Sequence, residues 1–440
     1  MRNDTIVAIA TPAGVGGIAV VRVSGSDALS MALSHLSVGT LEPRHATYCR
    51  FDDIDDGIAV YYPAGYTGEP TVEFSCHGSI YVQQAIVQAF VDSGARMAEP
   101  GEYTMRAFLN GRLDLSQAEA VADLIDAATP AQHRLAVSQL RGGYAEELKS
   151  LRQQLLDLTS LLELELDFSQ EDVEFADRSQ LQNLLHRLTD AVTKLINSFQ
   201  MGNAIKHGIP LAIVGVPNAG KSTLLNALLN DDRAIVSPIP GTTRDTIEET
   251  LVIEGIPFRL IDTAGIRRSG DTVEQLGIER SRKAMKDAEI VLCVCDGTAS
   301  VDETEWILEG LKNRKCLLVM NKADRMANPR YGNIEPGSDC YYISALTGEG
   351  IEELKHRIAQ SVRKNMDAGG ILLSNARHLE ALRNVAAALQ QVEGGLADGI
   401  PADLVAVDLR DALYHLGTIT GDVTNDEVLG NIFSRFCVGK

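Results

Sequence analysis

The sequence predicts a multidomain protein that combines α/β and α+β folds: a doubly wound α/β domain inserted in a helical domain, with an α+β module in front of both. Three observations support this prediction. Strand-like apolar runs alternate with helical patterns between residues 206 and 365, as in a parallel sheet covered by helices. Helical patterns with apolar faces lie on both sides of that segment. The first 115 residues instead contain short β-like runs separated by Gly and Pro.

The α+β module is predicted to span residues 1–115. Its β-like runs lie at residues 6–10, 17–23, 59–62 and 71–76, and one helix is predicted near residues 79–91. We therefore expect a folded module here rather than a leader peptide.

Helical patterns occupy residues 116–205 and return in residues 366–440. Ser116 and Glu119 form a capping-box pattern that predicts the start of the first of these helices. The tail helices have apolar faces but too few residues to form a core alone. Packing against the helices of the earlier segment is the economical solution, and it makes residues 206–365 an insert within one helical domain.

A phosphate-loop motif, G-x-x-x-x-G-K-S, opens the predicted α/β domain at residues 215–222. It follows a strand-like run and precedes a predicted helix, so backbone N–H groups can cradle phosphates at the helix N-terminus. Lys221 is predicted to reach the β- and γ-phosphates, and the Ser222 hydroxyl to ligate Mg²⁺. The chain is therefore predicted to bind a nucleoside triphosphate through Asn218, Ala219, Gly220, Lys221, Ser222 and Thr223.

Three motifs downstream of the phosphate loop predict that the nucleotide is GTP. Asp262 can hold Mg²⁺ through water, while the Gly265 amide faces the γ-phosphate. The Asp324 carboxylate can accept two hydrogen bonds from guanine that adenine lacks, which makes base selection sharp. The loop that begins at Ser344 fits the segment whose backbone amide meets guanine O6. The predicted contacts are Asp262, Thr263, Ala264, Gly265, Asn321, Lys322, Asp324, Ser344, Ala345 and Leu346.

The residue after Gly265 is Ile266, where Ras-like enzymes carry the glutamine that orients the attacking water. The loop of residues 237–245 offers part of an alternative, because it resembles the GTTRD switch of GTPases that use potassium as their activating cation. Thr243 is placed to ligate Mg²⁺, and K⁺ beside the phosphates would stabilise developing charge. The other interpretation is that Asn218 and this loop have only a structural role. The predicted K⁺ contacts are Asn218, Ser237, Ile239 and Thr242.

Composition restricts the functions open to this chain. Its formal net charge of −20 argues against a broad non-specific nucleic-acid surface, so any RNA contact must be local or carried by a partner. Seven cysteines without metal-ligand spacing fit a reducing cytoplasm. Because the sequence contains no basic-then-apolar leader and no run of eighteen apolar residues, we expect a cytoplasmic protein without a membrane span.

Motifs at both ends of the chain, together with the GTPase signals, resemble one family. They lie at residues 16–25, 73–78, 99–104 and 106–115, and in the final Cys-Val-Gly-Lys of residues 437–440. Over the whole chain this combination is similar to the bacterial tRNA-modification GTPases of the MnmE (TrmE) family. In that family the N-terminal module makes the homodimer and binds a folate one-carbon carrier, 5,10-methylene-tetrahydrofolate or a related folate.

The resemblance implies functional roles for residues to which the sequence patterns alone assign none. Glu279 matches the glutamate that orients water in place of the missing glutamine, and Cys437 matches the tail cysteine implicated in the modification. Without the resemblance, Glu279 would be an exposed helix acid and Cys437 a tail thiol. His77 is better explained as a turn histidine than as a metal ligand. The implied folate contacts are Arg22, Glu73, Arg112 and Lys440, with Arg112 standing where the family commonly has lysine.

The resemblance also implies a reaction and a partner. The family installs an aminomethyl or carboxymethylaminomethyl group on C5 of the wobble uridine of certain tRNAs, jointly with the FAD-dependent flavoprotein MnmG in a heterotetramer. In the family, the two G domains of the dimer approach face to face in the state that holds GTP, Mg²⁺ and K⁺, and they separate afterwards. Hydrolysis of GTP thus drives a conformational change rather than the modification chemistry itself.

Two other classes of function stay open at this point. A GTP-dependent ribosome-assembly or RNA-binding switch would carry similar GTPase motifs, but it predicts a basic appendage where this chain has an acidic balance. A nucleotide-gated scaffold would use the N-terminal module for dimerisation only. Folate binding to residues 1–115 separates that scaffold from the tRNA-modification enzyme.

Overall fold

A computed structural model describes residues 4–168, 178–231, 250–261, 285–298, 316–326, 340–366, 372–424, 426–434, 436 and 439. The chain divides into two compact units: unit 1 is formed by residues 1–125, 138–188 and 384–440, and unit 2 by residues 126–137 and 189–383. The division falls inside four helices, and the domain boundaries predicted at residues 115, 205 and 365 stay predictions.

Helices and strands account for most of the described chain. The helices are α1 Ala28–His35, α2 Ile80–Asp92, α3 Glu102–Leu109, α4 Leu115–Asp126, α5 Pro130–Leu140, α6 Gly143–Phe168, α7 Arg178–His207, α8 Lys221–Asp231, α9 Ile351–Met366, α10 Ala376–Ala397, α11 Ala402–Thr420 and α12 Asp426–Phe433. The strands are β1 Ile6–Ile9, β2 Ile18–Ser24, β3 Thr47–Phe51, β4 Asp55–Tyr62, β5 Thr71–His77, β6 Arg96–Met97, β7 Ile209–Gly215, β8 Thr250–Ile253, β9 Ile256–Ile261, β10 Ile290–Asp296, β11 Cys316–Asn321 and β12 Cys340–Tyr342.

Unit 1 contains a six-stranded sheet in the order β3-β4-β5-β2-β1-β6. Its pairs are antiparallel except β1 with β6. Alternation along the strands places one set of side chains, including Val21, Phe51 and Phe74, in a core closed by α1 and α2. The opposite set, including Arg22 and Glu73, is left on the outer face.

The prediction of one helix in residues 1–115 was wrong, because α1 and α3 are also helical. Both have only eight residues, and such short helices are marginal by themselves. Tertiary packing supplies their stability: Ala28 and Ala32 of α1 are buried in the core of the sheet, and Tyr103 of α3 is buried against β1. Strand β3, which the sequence pattern also missed, pairs with β4.

The predicted capping box at the start of α4 is two residues out of place. Asp114 precedes the helix and accepts a hydrogen bond from the Gln117 backbone N–H at 2.9 Å, while the Gln117 side-chain oxygen accepts one from the Asp114 N–H at 3.0 Å. Ser116 lies inside the helix and donates to Asp114. The reciprocal pair is therefore Asp114 with Gln117, and the predicted pair of Ser116 with Glu119 was wrong.

The tail helices of unit 1 pack onto earlier parts of that unit. Helix α11 lies against α6, with an ion pair of 3.1 Å between Arg152 and Asp422. Helix α12 packs against α3, and Phe433 and Phe436 join a small core with Leu115. The end of the chain is thereby held next to the N-terminal module, since Gly439 lies beside Ile9 of β1.

Unit 2 contains a sheet in the order β12-β11-β10-β7-β9-β8. All neighbouring strands are parallel except the hairpin of β8 and β9. This is a doubly wound arrangement, with β7 and β10 buried in the centre. The carboxyl ends of β7, β10 and β11 lie at one edge, where such sheets bind ligands. Within the described ranges, none of the helices is long and apolar enough to cross a membrane.

Candidate nucleotide-binding and tail sites

The phosphate loop connects β7 to α8 at the carboxyl edge of the unit 2 sheet. Gly220 adopts φ +91°, which favours glycine, and a Cβ there would collide with the side-chain amide of Asn321. Asn218 also has a positive φ, +63°, and it is exposed at the tip of the loop. A loop of this shape leaves backbone N–H groups and the start of a helix available to phosphate oxygens.

Lys221 lies at the first position of α8 and folds back over the loop. Its ammonium group donates to the carbonyl oxygens of Gly215 at 2.9 Å and Val216 at 2.8 Å. Burial lowers the pKa of Lys221 from its ordinary value. Ser222 and Thr223 follow in the first turn and are exposed. The hydroxyl and amide oxygens of Ser222 and Asn218 are the hard donors that Mg²⁺ and K⁺ prefer, so they fit the predicted metal contacts.

Asn321 joins the phosphate loop to the loop that follows β12. The side chain is buried; its amide nitrogen donates to Ala219 O at 2.8 Å, and its amide oxygen accepts from Ala345 N at 2.9 Å. The sequence motif predicts Asn321 as a nucleotide contact but gives no sign of this bridge. The bridge depends on residues 102 and 24 positions away in the chain.

Asp324 and Ser344 lie together at the same edge. The Ser344 hydroxyl is buried and donates to Asp324 at 2.7 Å, which orients the carboxylate. Ser344 N is itself fixed by the Glu349 carbonyl at 3.0 Å. Leu346 is 72% exposed, so the loop after Ser344 is open to solvent at this residue. This arrangement presents a carboxylate and a backbone loop at the place where a guanine base is expected.

Asp296 is a residue of this edge that the sequence patterns missed. It ends β10 and forms an ion pair with Lys322 of 2.5 Å. Burial would raise the pKa of Asp296, but hydrogen bonds from Lys322 and Thr298 outweigh burial and lower it. The available signal was its position, since an acidic residue directly after an apolar strand lies at the ligand-binding edge of a parallel sheet.

Several predicted contacts lie outside the described residues. For the switch loops and the catalytic glutamate these are Ser237, Ile239, Thr242, Thr243, Asp262, Thr263, Ala264, Gly265 and Glu279, and for the tail they are Cys437 and Lys440. In the ranges that are described, no group of three or more His, Cys, Asp or Glu side chains is arranged to hold a metal ion. The metal contacts predicted above use hydroxyl, amide and phosphate oxygens instead.

In unit 1, the outer face of the sheet brings Arg22 and Glu73 together. Arg22 Nε donates to Glu73 Oε1 at 2.7 Å across the pair of β2 and β5. A second guanidinium nitrogen, Nη1, donates to the carbonyl oxygen of Gly439 at 3.3 Å. Three of the segments that carry family motifs therefore meet at one place: β2, β5 and the end of the chain.

Two tyrosines complete the surroundings of Arg22. Its guanidinium lies 5.5 Å from the ring centre of Tyr103 and 5.8 Å from that of Tyr66. The Tyr66 hydroxyl is hydrogen-bonded to Thr104 at 3.0 Å, and burial raises the pKa of Tyr66. The cluster therefore offers a held cation, a carboxylate and aromatic surface, which suits a planar ligand with an amide or carboxylate group.

Arg112 and His77 have other partners. Arg112 is exposed and donates to the Ala64 carbonyl at 3.5 Å, in the loop that also carries Tyr66. His77 is the last residue of β5, and both its backbone N–H and its Nδ1 bind the carboxylate of Asp55 at 2.8 Å. His77 thus takes part in a strand-end contact.

The fold and this edge of unit 2 define a P-loop GTPase. The family models agree: a model described as the MnmE helical domain matches residues 115–437, and one described as the GTP-binding protein TrmE N-terminus matches residues 5–112. The chain belongs to the MnmE family of tRNA modification GTPases.

Relatives match over the full length. Proteins named tRNA modification GTPase MnmE are 46% identical in Flavobacterium psychrophilum, over 100% of this chain and 99% of the relative, and 48% identical in Parabacteroides distasonis, over 99% and 100%. Among solved structures, the G domain of the Thermotoga maritima FeoB iron transporter is 26% identical, covering 34% of this chain and 97% of that one, with a TM-score of 0.26. The fold assignment rests on the strand order and the family models.

Proposed function

We propose that this GTPase acts in modification of the wobble uridine of certain tRNAs, placing an aminomethyl or carboxymethylaminomethyl group on C5 together with the FAD-dependent MnmG in the cytoplasm. The observation that carries the proposal is the meeting of Arg22, Glu73 and Gly439 on the outer face of the unit 1 sheet. A nucleotide switch alone has no use for such a cluster.

The cluster supports a folate site through its chemistry. Folates carry a pterin, whose amide and amine can pair with a carboxylate such as Glu73, and glutamate carboxylates, which suit a guanidinium such as that of Arg22. Arg112 and Lys440 would add positive charge for the glutamate end. A bound methylene-tetrahydrofolate would supply the carbon that is transferred. Cys437 is proposed to act in that transfer, since its neighbours in the chain, Phe436 and Gly439, are both buried beside the N-terminal module.

The same outer face supports a homodimer. Tyr48 and Ile58 form a cross-strand pair and are 73% and 43% exposed, while Ile18 on β2 is 71% exposed. Exposed apolar side chains on one sheet face mark an interaction surface. We propose that a second copy of the chain covers it, adjacent to the cluster of Arg22 and Glu73.

In unit 2 we propose that GTP hydrolysis is activated by K⁺ and switches the pairing of two G domains. Asn218, with Ser237, Ile239 and Thr242, would hold K⁺, and Ser222 with Thr243 would hold Mg²⁺; these ions would neutralise charge that develops on the phosphates. The Lys221 ammonium, now held by two loop carbonyls, would move its contacts to phosphate oxygens. Glu279 would orient the attacking water.

Nucleoside mass spectrometry of tRNA tests the whole proposal. Cells that lack this protein should contain unmodified wobble uridine, and the wild-type gene should restore the modified nucleoside. The Cys437→Ser protein should keep its K⁺-stimulated GTP hydrolysis, but tRNA from cells that carry only this variant should lack the modified nucleoside. Normal tRNA in the deleted strain would refute the proposed reaction, and full modification with Cys437→Ser would remove that residue from it.

Calorimetric titration of the purified protein with 5-formyl-tetrahydrofolate tests the folate site separately. Glu73→Gln should weaken binding by about tenfold, the value of one charge-assisted hydrogen bond. Glu353→Gln, which removes an exposed carboxylate in unit 2, is the matched control. Equal affinity in the wild type and Glu73→Gln would remove Glu73 from the ligand contacts.

A further inference from the structure

Both carboxylate oxygens of Asp296 have hydrogen-bond partners, although Asp296 belongs to none of the nucleotide motifs. One oxygen pairs with Lys322 Nζ at 2.5 Å, and the other accepts hydrogen bonds from Thr298, at 2.9 Å from the backbone N and 2.6 Å from the hydroxyl. Its side chain is 17% exposed and that of Lys322 is 28% exposed. Exposed ion pairs are worth little, but this carboxylate is part-buried and fixed on both oxygens.

The backbone around Asp296 is fixed to the base-recognition loop as well. Asp296 is in register with Asn321 in the parallel pair of β10 and β11, and Gly297 N donates to Asn321 O at 2.9 Å. A Cβ on Gly297 would lie 2.9 Å from that oxygen and would collide with the Met326 side chain. Residues 296–298, which we call the DGT turn, therefore pack closely against residues 321–326.

Lys322 has a backbone conformation that needs support. Its φ is +65°, in the left-handed region, which is unfavourable for a residue with a Cβ. It stands between Asn321, which bridges two loops, and Asp324, which is oriented by Ser344. The conformation of Lys322 therefore sets where Asp324 lies relative to the phosphate loop, and the contact with Asp296 holds the side chain of Lys322 in place.

We propose that Asp296 is a positioning residue for guanine recognition, which acts by holding Lys322 and the loop of residues 321–324 against the DGT turn. The proposal rests on GTP binding at this edge of unit 2. It makes Asp296 a determinant of guanine-nucleotide affinity without direct contact with the base. The same logic predicts that any residue larger than glycine at position 297 weakens binding.

A double-mutant cycle tests this proposal, read by titration of a fluorescent GDP analogue. The variants are Asp296→Asn, Lys322→Ala and the pair. Asp296→Asn keeps the shape and the bond to the Thr298 amide but removes the charge, and it should weaken GDP binding by about tenfold. In the Lys322→Ala background the same change should have an effect of less than about twofold, because the partner is gone. Asp296→Glu should recover part of the affinity.

The outcomes separate this proposal from the one on which it depends. Failure of the wild type to bind GDP would refute GTP binding itself. If the wild type binds and Asp296→Asn binds equally well, Asp296 has no positioning role. An equal loss in both backgrounds would assign the effect to general destabilisation, which thermal unfolding of the same variants would reveal. Glu353→Gln, an exposed acid on α9, removes the same charge from unit 2 and should leave GDP affinity unchanged.

Discussion

Replacing Asn321 with alanine should uncouple the phosphate loop from the loop that follows β12. The change removes two hydrogen bonds of a buried amide, one to Ala219 O at 2.8 Å and one from Ala345 N at 2.9 Å. Each such bond contributes about 1 kcal/mol, and leaving its buried partner without water costs about as much again. We therefore expect unit 2 to lose about 2–4 kcal/mol, and GDP affinity to fall by about tenfold or more.

Thermal unfolding with and without GDP measures the effect, because GDP stabilises only the transition of the unit that binds it. For a unit of this size, 2–4 kcal/mol corresponds to a decrease of roughly 5–15 °C in that transition. Asn321→Asp is the informative companion. It keeps an acceptor for Ala345 N but places a buried carboxylate next to the Ala219 carbonyl, so it should cost at least as much as alanine.

A matched control removes an exposed amide whose oxygen accepts a hydrogen bond at 2.9 Å from Arg357 of the same helix and which joins no two loops. Gln360 is exposed on α9 in the same unit, and Gln360→Ala should change stability by less than about 0.5 kcal/mol. If Asn321→Ala unfolds at the wild-type temperature and binds GDP normally, the bridge does not hold the two loops, and the base-recognition edge must be organised by the DGT turn alone.

Three further predictions concern nucleotide choice, hydrolysis and pH. Asp324→Asn should weaken GTP binding and shift preference toward xanthosine triphosphate, measured by competition; unchanged GTP affinity would contradict the assignment. Exchange of K⁺ for Na⁺ should slow turnover, and Glu279→Ala should bind GTP but lose about 10²-fold or more of hydrolysis, which a steady-state phosphate assay would detect. Burial opposes ionisation of Glu102, but hydrogen bonds from Arg96 and Arg106 outweigh burial and lower the pKa of this carboxyl. Ionised Glu102 should therefore stabilise the folded protein above about pH 4.3, and this stabilisation should fade as the pH falls through the lower folded pKa. The free energy of unfolding of Glu102→Gln should depend less on acid than that of the wild type.

The elements that the sequence predicted well are those whose signal is local. The strand-like run before the phosphate loop predicted β7. The β-like runs of the N-terminal module predicted β1, β2 and β5, with each end within one residue. Helix α1 and strand β3 were missed, because tertiary packing and strand pairing decide them. The capping box of α4 was misplaced because Asp114 and Ser116 are both good caps, and only the fold selects between them.

The candidate sites divide in the same way. Motifs predicted Lys221, Asn321 and Asp324 as candidate contacts, because glycine spacing and strand ends carry that information locally. The contact of Arg22 with Gly439 joins residues 417 positions apart, and no spacing rule predicts it. Asp296 was missed for the same reason: it is close to the recognised motifs in space but is separated from Lys322 by 26 residues in the chain.

Gly439→Ala tests whether the placement of the tail matters for the reaction. Gly439 has φ +95°, and a Cβ there would collide with the carbonyl oxygen of Ile9, so alanine must displace the end of the chain. The contact with Arg22 should then be lost. We expect reduced folate affinity in calorimetry and a sharp loss of wobble-uridine modification in cells, with GTP affinity and K⁺-stimulated hydrolysis near normal because unit 2 is untouched.

Gly430→Ala provides the matched control within the same tail. Gly430 is exposed in α12 with open space where a Cβ would be, and alanine is the better helix former by up to about 1 kcal/mol. This variant should retain full modification and unfold no earlier than the wild type. If Gly439→Ala also modified tRNA fully, the close approach of the tail to β1 would be dispensable, and Cys437 could not owe its proposed role to that placement. Loss of modification in both variants would instead indicate that the tail tolerates no change, whatever its contact with Ile9.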